Sequence, residues 1–159
     1  MAVGGLGRRE PAPYSDLDLV LLHEGKVDGL TAVADAIWYP IWDSGVSLDH
    51  SVRTPDQALA VAKDDLKALM GLLDIRHIAG DAGLTGRVRG TILDVWRATA
   101  VKRLDEMREI SRTRWDIAGE AAFLLEPNLK DSRGGLRDAQ SLHAPVSYTH
   151  LTLPTIYSV

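Results

Sequence analysis

Gly4-Gly5-Leu6-Gly7-Arg8-Arg9-Glu10, followed after three residues by Tyr14-Ser15-Asp16-Leu17-Asp18-Leu19-Val20-Leu21-Leu22, carries most of the structural information in this chain. The second half is strand-like from Asp16 to Leu22. Residues i and i+2 of a strand point to one face. Asp16 and Asp18 are therefore expected side by side at the mouth of an apolar, buried strand. Two carboxylates so close repel unless a positive charge lies between them. A hard divalent cation such as Mg²⁺, carrying nucleotide phosphates, answers that need. Gly4 and Gly5 are expected in a turn whose backbone approaches a phosphate closely, with the Ser15 hydroxyl helping to hold a triphosphate. An ordinary tight turn is the alternative. No Gly-Lys-Ser/Thr follows, so this is not a Walker A loop, and no third glycine completes a dinucleotide fingerprint.

The composition of the chain is that of an ordinary soluble globular protein. Its 159 residues suffice for one domain with a core, or one domain and a fragment. The net charge of −4 argues against a nucleic-acid binder, while a metal can still offset the charge of a nucleotide locally. The absence of cysteine excludes a disulfide framework and a thiolate metal site. There is no signal-peptide pattern and no apolar run long enough to span a bilayer, so a cytoplasmic location without membrane partners is expected. His23, His50, His77 and His143 are scattered, and none forms a His-Glu-x-x-His pair.

Outward from the opening motif, Met1-Ala2-Val3 reads as the tail of a strand, which places the expected N-terminus further upstream. Leu30 to Trp42 has helical spacing, with Pro40 expected to kink or shorten its last turn. Val46 to Val52 alternates as a half-buried strand. Thr54-Pro55 starts a helix over about 55–62, with Thr54 as N-cap, and a second covers about 64–72. Asp74 to Ile78 reads as a short strand. Helices follow over about 87–98 and 100–118, or as one long helix. Pro127 breaks that pattern, and Ser132 to Asp138 forms a glycine-centred loop. Trp38, Trp42, Trp96 and Trp115 fall on helical patterns and are expected to pack in the core. The expected division is a core over 1–80, a helical segment over 81–145 and a tail over 146–159. Composition shifts abruptly after Pro145. Val146 to Thr155 reads as one frame of a transposase-type sequencing adapter, so the tail is expected to be non-native.

Gly-Gly, a gap of this length, and Asp-apolar-Asp-apolar resemble the active-site signature of the DNA polymerase β nucleotidyltransferase superfamily. Five separated segments narrow the resemblance to the PII uridylyltransferase family: 3–10, 12–19, Tyr39-Pro40-Ile41-Trp42-Asp43, His50-Ser51-Val52-Arg53-Thr54, and Glu126-Pro127-Asn128-Leu129-Lys130-Asp131-Ser132-Arg133-Gly134-Gly135-Leu136-Arg137-Asp138. The resemblance implies an α/β (α+β) fold, a small mixed-sheet nucleotidyltransferase core followed by a mostly helical segment. It implies UMP transfer from UTP to a tyrosine of the PII signalling protein, with Mg²⁺ ions held by Asp16 and Asp18 and pyrophosphate released. A third carboxylate completes such sites from a later strand. Asp49 is the candidate, with a surface-strand acid as the equal alternative. Gly4, Gly5, Arg8, Ser15, Lys130 and Arg137 are the implied nucleotide contacts, although a structural loop is the preferred reading around Lys130, Arg133 and Arg137. A small-molecule nucleotidyltransferase of the same superfamily, or an inactive binding fragment, are the alternatives. The family's uridylyl-removing and glutamine-sensing domains would need far more chain than this.

Overall fold

β1 (Leu17–Leu22) and β2 (Leu48–Arg53) form a two-stranded parallel sheet, joined by helix α2 (Leu30–Asp43). A parallel pair needs such a crossover. The structure, a computed structural model, describes residues 1–12 and 15–152, the last six of these as helix backbone only. Pro13 and Tyr14 of the opening motif, and 153–159 of the expected adapter-derived tail, lie outside the described residues. The chain divides into two compact units, 1–95 and 96–159.

In the first unit, Met1-Ala2-Val3 lies antiparallel beside β1, bridging Ala2 to Leu19 on one side and to Arg76 on the other. The mixed-sheet α+β expectation is met in this form, with Arg76 in place of a full strand over 74–78. Gly4 and Gly5, expected in a turn, instead open a short helix, α1 (Gly4–Arg8). The expected burial of β1 is corrected too: only Val20 is buried, and its neighbours are half-buried. The sheet has two strands among the described residues, and α2 covers one face of it. Trp38 of α2 lies 5.1 Å from the His50 ring, centroid to centroid. Strand alternation then puts Leu19 and Leu21 on the α2 side and Asp18 and Val20 on the other.

α2 passes through Pro40 and ends three residues later at Asp43, so the proline neither shortens it before Trp42 nor ends it. Trp38 is buried, but Trp42 is 41% exposed and meets His50 edge-on at 5.1 Å, so it is not a core residue. α3 (Pro55–Asp64) begins in a capping box: the Gln57 N–H donates to Thr54 Oγ1 at 3.3 Å, and the Thr54 N–H donates to Gln57 Oε1 at 2.8 Å. α4 (Leu66–Leu73) is capped by Asp65 and buries Leu66, Leu69 and Leu72, one face of a helix. Leu84, Val88 and Ile92 of α5 (Ala82–Ala118) are buried at helical spacing in the same unit.

α5 is one helix of 37 residues rather than two. Its residues 96–118 belong to the second unit, where Trp96 is fully buried and its indole N–H donates to the Ala144 carbonyl at 2.9 Å. A 3₁₀ turn (Ala121–Phe123) and helix α6 (Leu136–Thr152) complete that unit. α6 starts inside the segment expected as loop.

Thr54→Ala removes one side of the capping box and should destabilise the first unit by about 0.5–2 kcal/mol, with Thr54→Ser close to the parent. Denaturant unfolding of the three chains checks this.

Candidate functional site

The parallel pairing has no offset at the acids: Asp18 is the register partner of Asp49. Aligned residues of neighbouring strands share a face about 4.8 Å apart. The carboxylates of Asp18 and Asp49 therefore project from the same side of the sheet, away from α2. Asp18 is half-buried and Asp49 exposed. Asp16 lies one residue before β1 and is exposed. Ser15 is half-buried beside it, its N–H donating to the Ala12 carbonyl at 3.0 Å.

α1 brings the glycines to Asp18. The Val3 N–H donates to the Asp18 carbonyl at 3.1 Å, which anchors the start of α1 to β1. Gly4 has φ +55°, and a Cβ there would sit 2.9 Å from Asp18 Oδ2. A side chain at this position would be strained and would crowd the carboxylate. Gly4 and Asp18 thus form one close contact built from residues fourteen apart in sequence.

Arg8, a candidate phosphate contact, is instead paired with Asp74 in a largely buried ion pair, and its Nε donates to Glu10 Oε2 at 3.2 Å. Three further residues of this framework escape the sequence reading: Gly7, Asp74 and Arg76. A Cβ on Gly7 would lie 1.9 Å from the Asp74 carbonyl oxygen, so only glycine fits. The Arg76 guanidinium donates to the Leu6 carbonyl at 2.8 Å and the Gly7 carbonyl at 3.2 Å. The one available signal was the third glycine of Gly4-Gly5-Leu6-Gly7; nothing local links it to residues 74–76.

Lys130 and Arg137 belong to the second unit, in the segment expected as a loop. Asn128 Oδ1 accepts from the N–H groups of Lys130 and Asp131, both at 3.0 Å. Lys130 is exposed, and Arg137 pairs with Asp131 at 2.6 Å. Ser132, fully buried, donates from Oγ to the Ala118 carbonyl at 2.9 Å, tying the loop to the end of α5. Asp138 accepts from Arg114, from the Trp115 indole N–H at 2.9 Å and from the Gly134 N–H at 2.7 Å. The Arg133 guanidinium lies over the Trp115 ring at 5.2 Å. Burial acts to raise the Asp138 carboxyl, but the Arg114, Gly134 and Trp115 hydrogen bonds and the Arg114 charge outweigh it. The group is held below its ordinary range.

The donor chemistry can be set against Mg²⁺. This ion takes hard oxygen donors, one or two carboxylates, with substrate phosphates and water filling the rest. Asp18 and Asp49 on adjacent strands suit that demand. Among the described residues, no group of three His, Cys, Asp or Glu is gathered closely enough to hold a metal. Among those residues, too, no helix is long and apolar enough to cross a membrane.

A family model described as GlnD PII-uridylyltransferase matches residues 102–156. Curated relatives match far more of the chain. A bifunctional uridylyltransferase/uridylyl-removing enzyme of Streptomyces coelicolor is 57% identical over 145 residues, 91% of this chain and 17% of that protein. The enzyme of that name from Mycobacterium tuberculosis is 50% identical, over 91% of the chain and 18% of the relative. The Corynebacterium glutamicum one is 41% identical, over 90% and 20%. No solved structure matches the chain. A small α+β core with paired strand carboxylates, continued by helices, is the class that the fold defines. Within it, the chain belongs to the PII uridylyltransferase family, and it spans about one-sixth to one-fifth of the length of these relatives.

Asp138→Ala strands the Arg114 and Trp115 donors and should destabilise the second unit by about 1–3 kcal/mol at neutral pH. A depressed carboxyl contributes stability that is present above its unfolded value and lost as pH falls through its folded one. The parent chain should therefore lose this contribution on acidification, and the variant should show a flatter acid limb. Thermal melts between neutral pH and pH about 2 read both effects.

Proposed function

We propose that this chain is the nucleotidyl-transferring part of its family's enzyme. It would act in the cytoplasm, moving UMP from UTP to a tyrosine hydroxyl of the PII signalling protein with release of pyrophosphate. The observation that carries the reading is the register pairing of Asp18 with Asp49 on the face that also holds Gly4. The names of the relatives supply the nucleotide and the protein substrate.

Asp18 and Asp49, with Asp16 at the strand mouth, are the residues that would hold Mg²⁺. When bound, the ion supplies positive charge to the triphosphate and to the oxygens that attack and leave at the α-phosphate. The chain's own part is placement. Gly4 and Gly5 carry no side chains, so the backbone N–H groups at the start of α1 are open to phosphate oxygens beside Asp18. The Ser15 hydroxyl is a further donor at the same end of β1. Two strand carboxylates would leave the remaining positions of a bound Mg²⁺ to nucleotide phosphates and water. Mg²⁺ alone should accordingly bind weakly and MgUTP well. Lys130 and Arg137 are left out of this assignment, since Arg137 is engaged with Asp131 and both shape their own loop.

Asp18→Asn or Asp16→Asn should lower uridylyl transfer to PII by about 10²–10³-fold or more, the usual scale for removing an aimed electrostatic contact. Both variants should remain folded, since each keeps the size of the side chain and removes one of two neighbouring like charges. A pyrophosphate-release assay with PII and a panel of nucleoside triphosphates, beside calorimetry with MgUTP, reads transfer and binding separately. Full activity in the double variant would overturn the assignment. Binding without pyrophosphate release would make the chain a nucleotide-binding segment only.

A further inference from the structure

We propose that Arg76 is a positioning residue for the nucleotide, acting through α1 to hold Gly4 and Gly5 against the Asp18 carboxylate. This rests on the nucleotide-site reading above.

α1 has five residues, too few to be stable by itself. Its position must come from tertiary contacts, and Arg76 supplies them at both ends. At the far end its guanidinium takes the Leu6 and Gly7 carbonyls at 2.8 and 3.2 Å. At the near end its backbone exchanges two hydrogen bonds with Ala2, both 2.9 Å, and Ala2 is fully buried. Val3, the next residue, donates to the Asp18 carbonyl at 3.1 Å. One residue thus connects the start and the end of α1, and the start is bonded to the strand that bears the acid. Asp74 completes the clasp through its ion pair with Arg8 and through its carbonyl, against which Gly7 is seated.

The chemistry requires arginine. Two carbonyls on successive residues are met by one planar guanidinium with several fixed N–H donors, whereas lysine offers a single point charge. None of these contacts touches the proposed ligand. What they fix is the spacing between the Gly4 backbone and Asp18 Oδ2, which a Cβ on Gly4 would approach to 2.9 Å. A small displacement of α1 would separate the phosphate donors from the metal-holding carboxylate while leaving the core of α3, α4 and α5 intact.

The test is MgUTP affinity, measured by calorimetry on the full 159-residue chain well below the lowest melting temperature of the set. Arg76→Met should weaken MgUTP binding about 10- to 100-fold, the scale of losing one hydrogen bond to a charged group. Arg76→Lys should recover part of the loss. Thr54→Ala, which destabilises a helix end remote from α1, should keep the parent affinity and so separates positioning from mere loss of stability. Parent affinity in Arg76→Met overturns the proposal. If Arg76→Met does not fold, Arg76→Lys decides: an intermediate affinity supports the positioning role, and parent affinity overturns it. Failure of the unsubstituted chain to bind MgUTP would overturn the nucleotide-site reading itself, and this role with it.

Discussion

The zero-offset parallel pairing of β1 with β2 is the constraint from which the candidate site follows. Because side chains alternate along a strand, a slip of one residue would send Asp49 to the α2 side, among Trp38 and His50. Because Leu19 and His50 share the α2 side, Asp18 and Asp49 share the other. Like charges directly opposite each other on neighbouring strands are unfavourable by a few tenths to about 1 kcal/mol.

Two glycines serve this arrangement for different reasons. Gly4 gives the backbone a left-handed turn and leaves space beside Asp18 Oδ2. Gly7 allows the Asp74 carbonyl to approach the helix directly. The first concerns the site and the second its support. In sequence the two look alike, and only the identity of the atom opposite each tells them apart.

Much of the first unit was legible because its signals are local. The alternation read over Val46 to Val52 forms a strand from Leu48, and the helix start at Thr54-Pro55 read correctly. So did the apolar spacing of α2, since each feature depends on neighbours within one or two turns. α1 was not legible, because five residues cannot display a helical period and its stability comes from residues about seventy positions away. The continuity of α5 was ambiguous because Ala98-Thr99-Ala100 contains no breaker and no strong apolar stripe. Asp18 and Asp49 could be named from sequence, but their pairing depends on register, which no single strand specifies.

The residues that identify the family and those proposed to do its chemistry lie in different units. The family model matches 102–156, within the unit that holds the Glu126–Asp138 segment, whereas Asp16, Asp18 and Asp49 lie in the other. Several polar groups of that segment have specific structural partners. Asn128 caps its own turn, Ser132 reaches the end of α5, and Asp138 gathers Arg114, Trp115 and Gly134. Asp-Leu-Asp, by contrast, is short and common in sequence, and gains meaning only beside Gly4 and across from Asp49. The relatives, matching about nine-tenths of the chain, are what join the two units under one family.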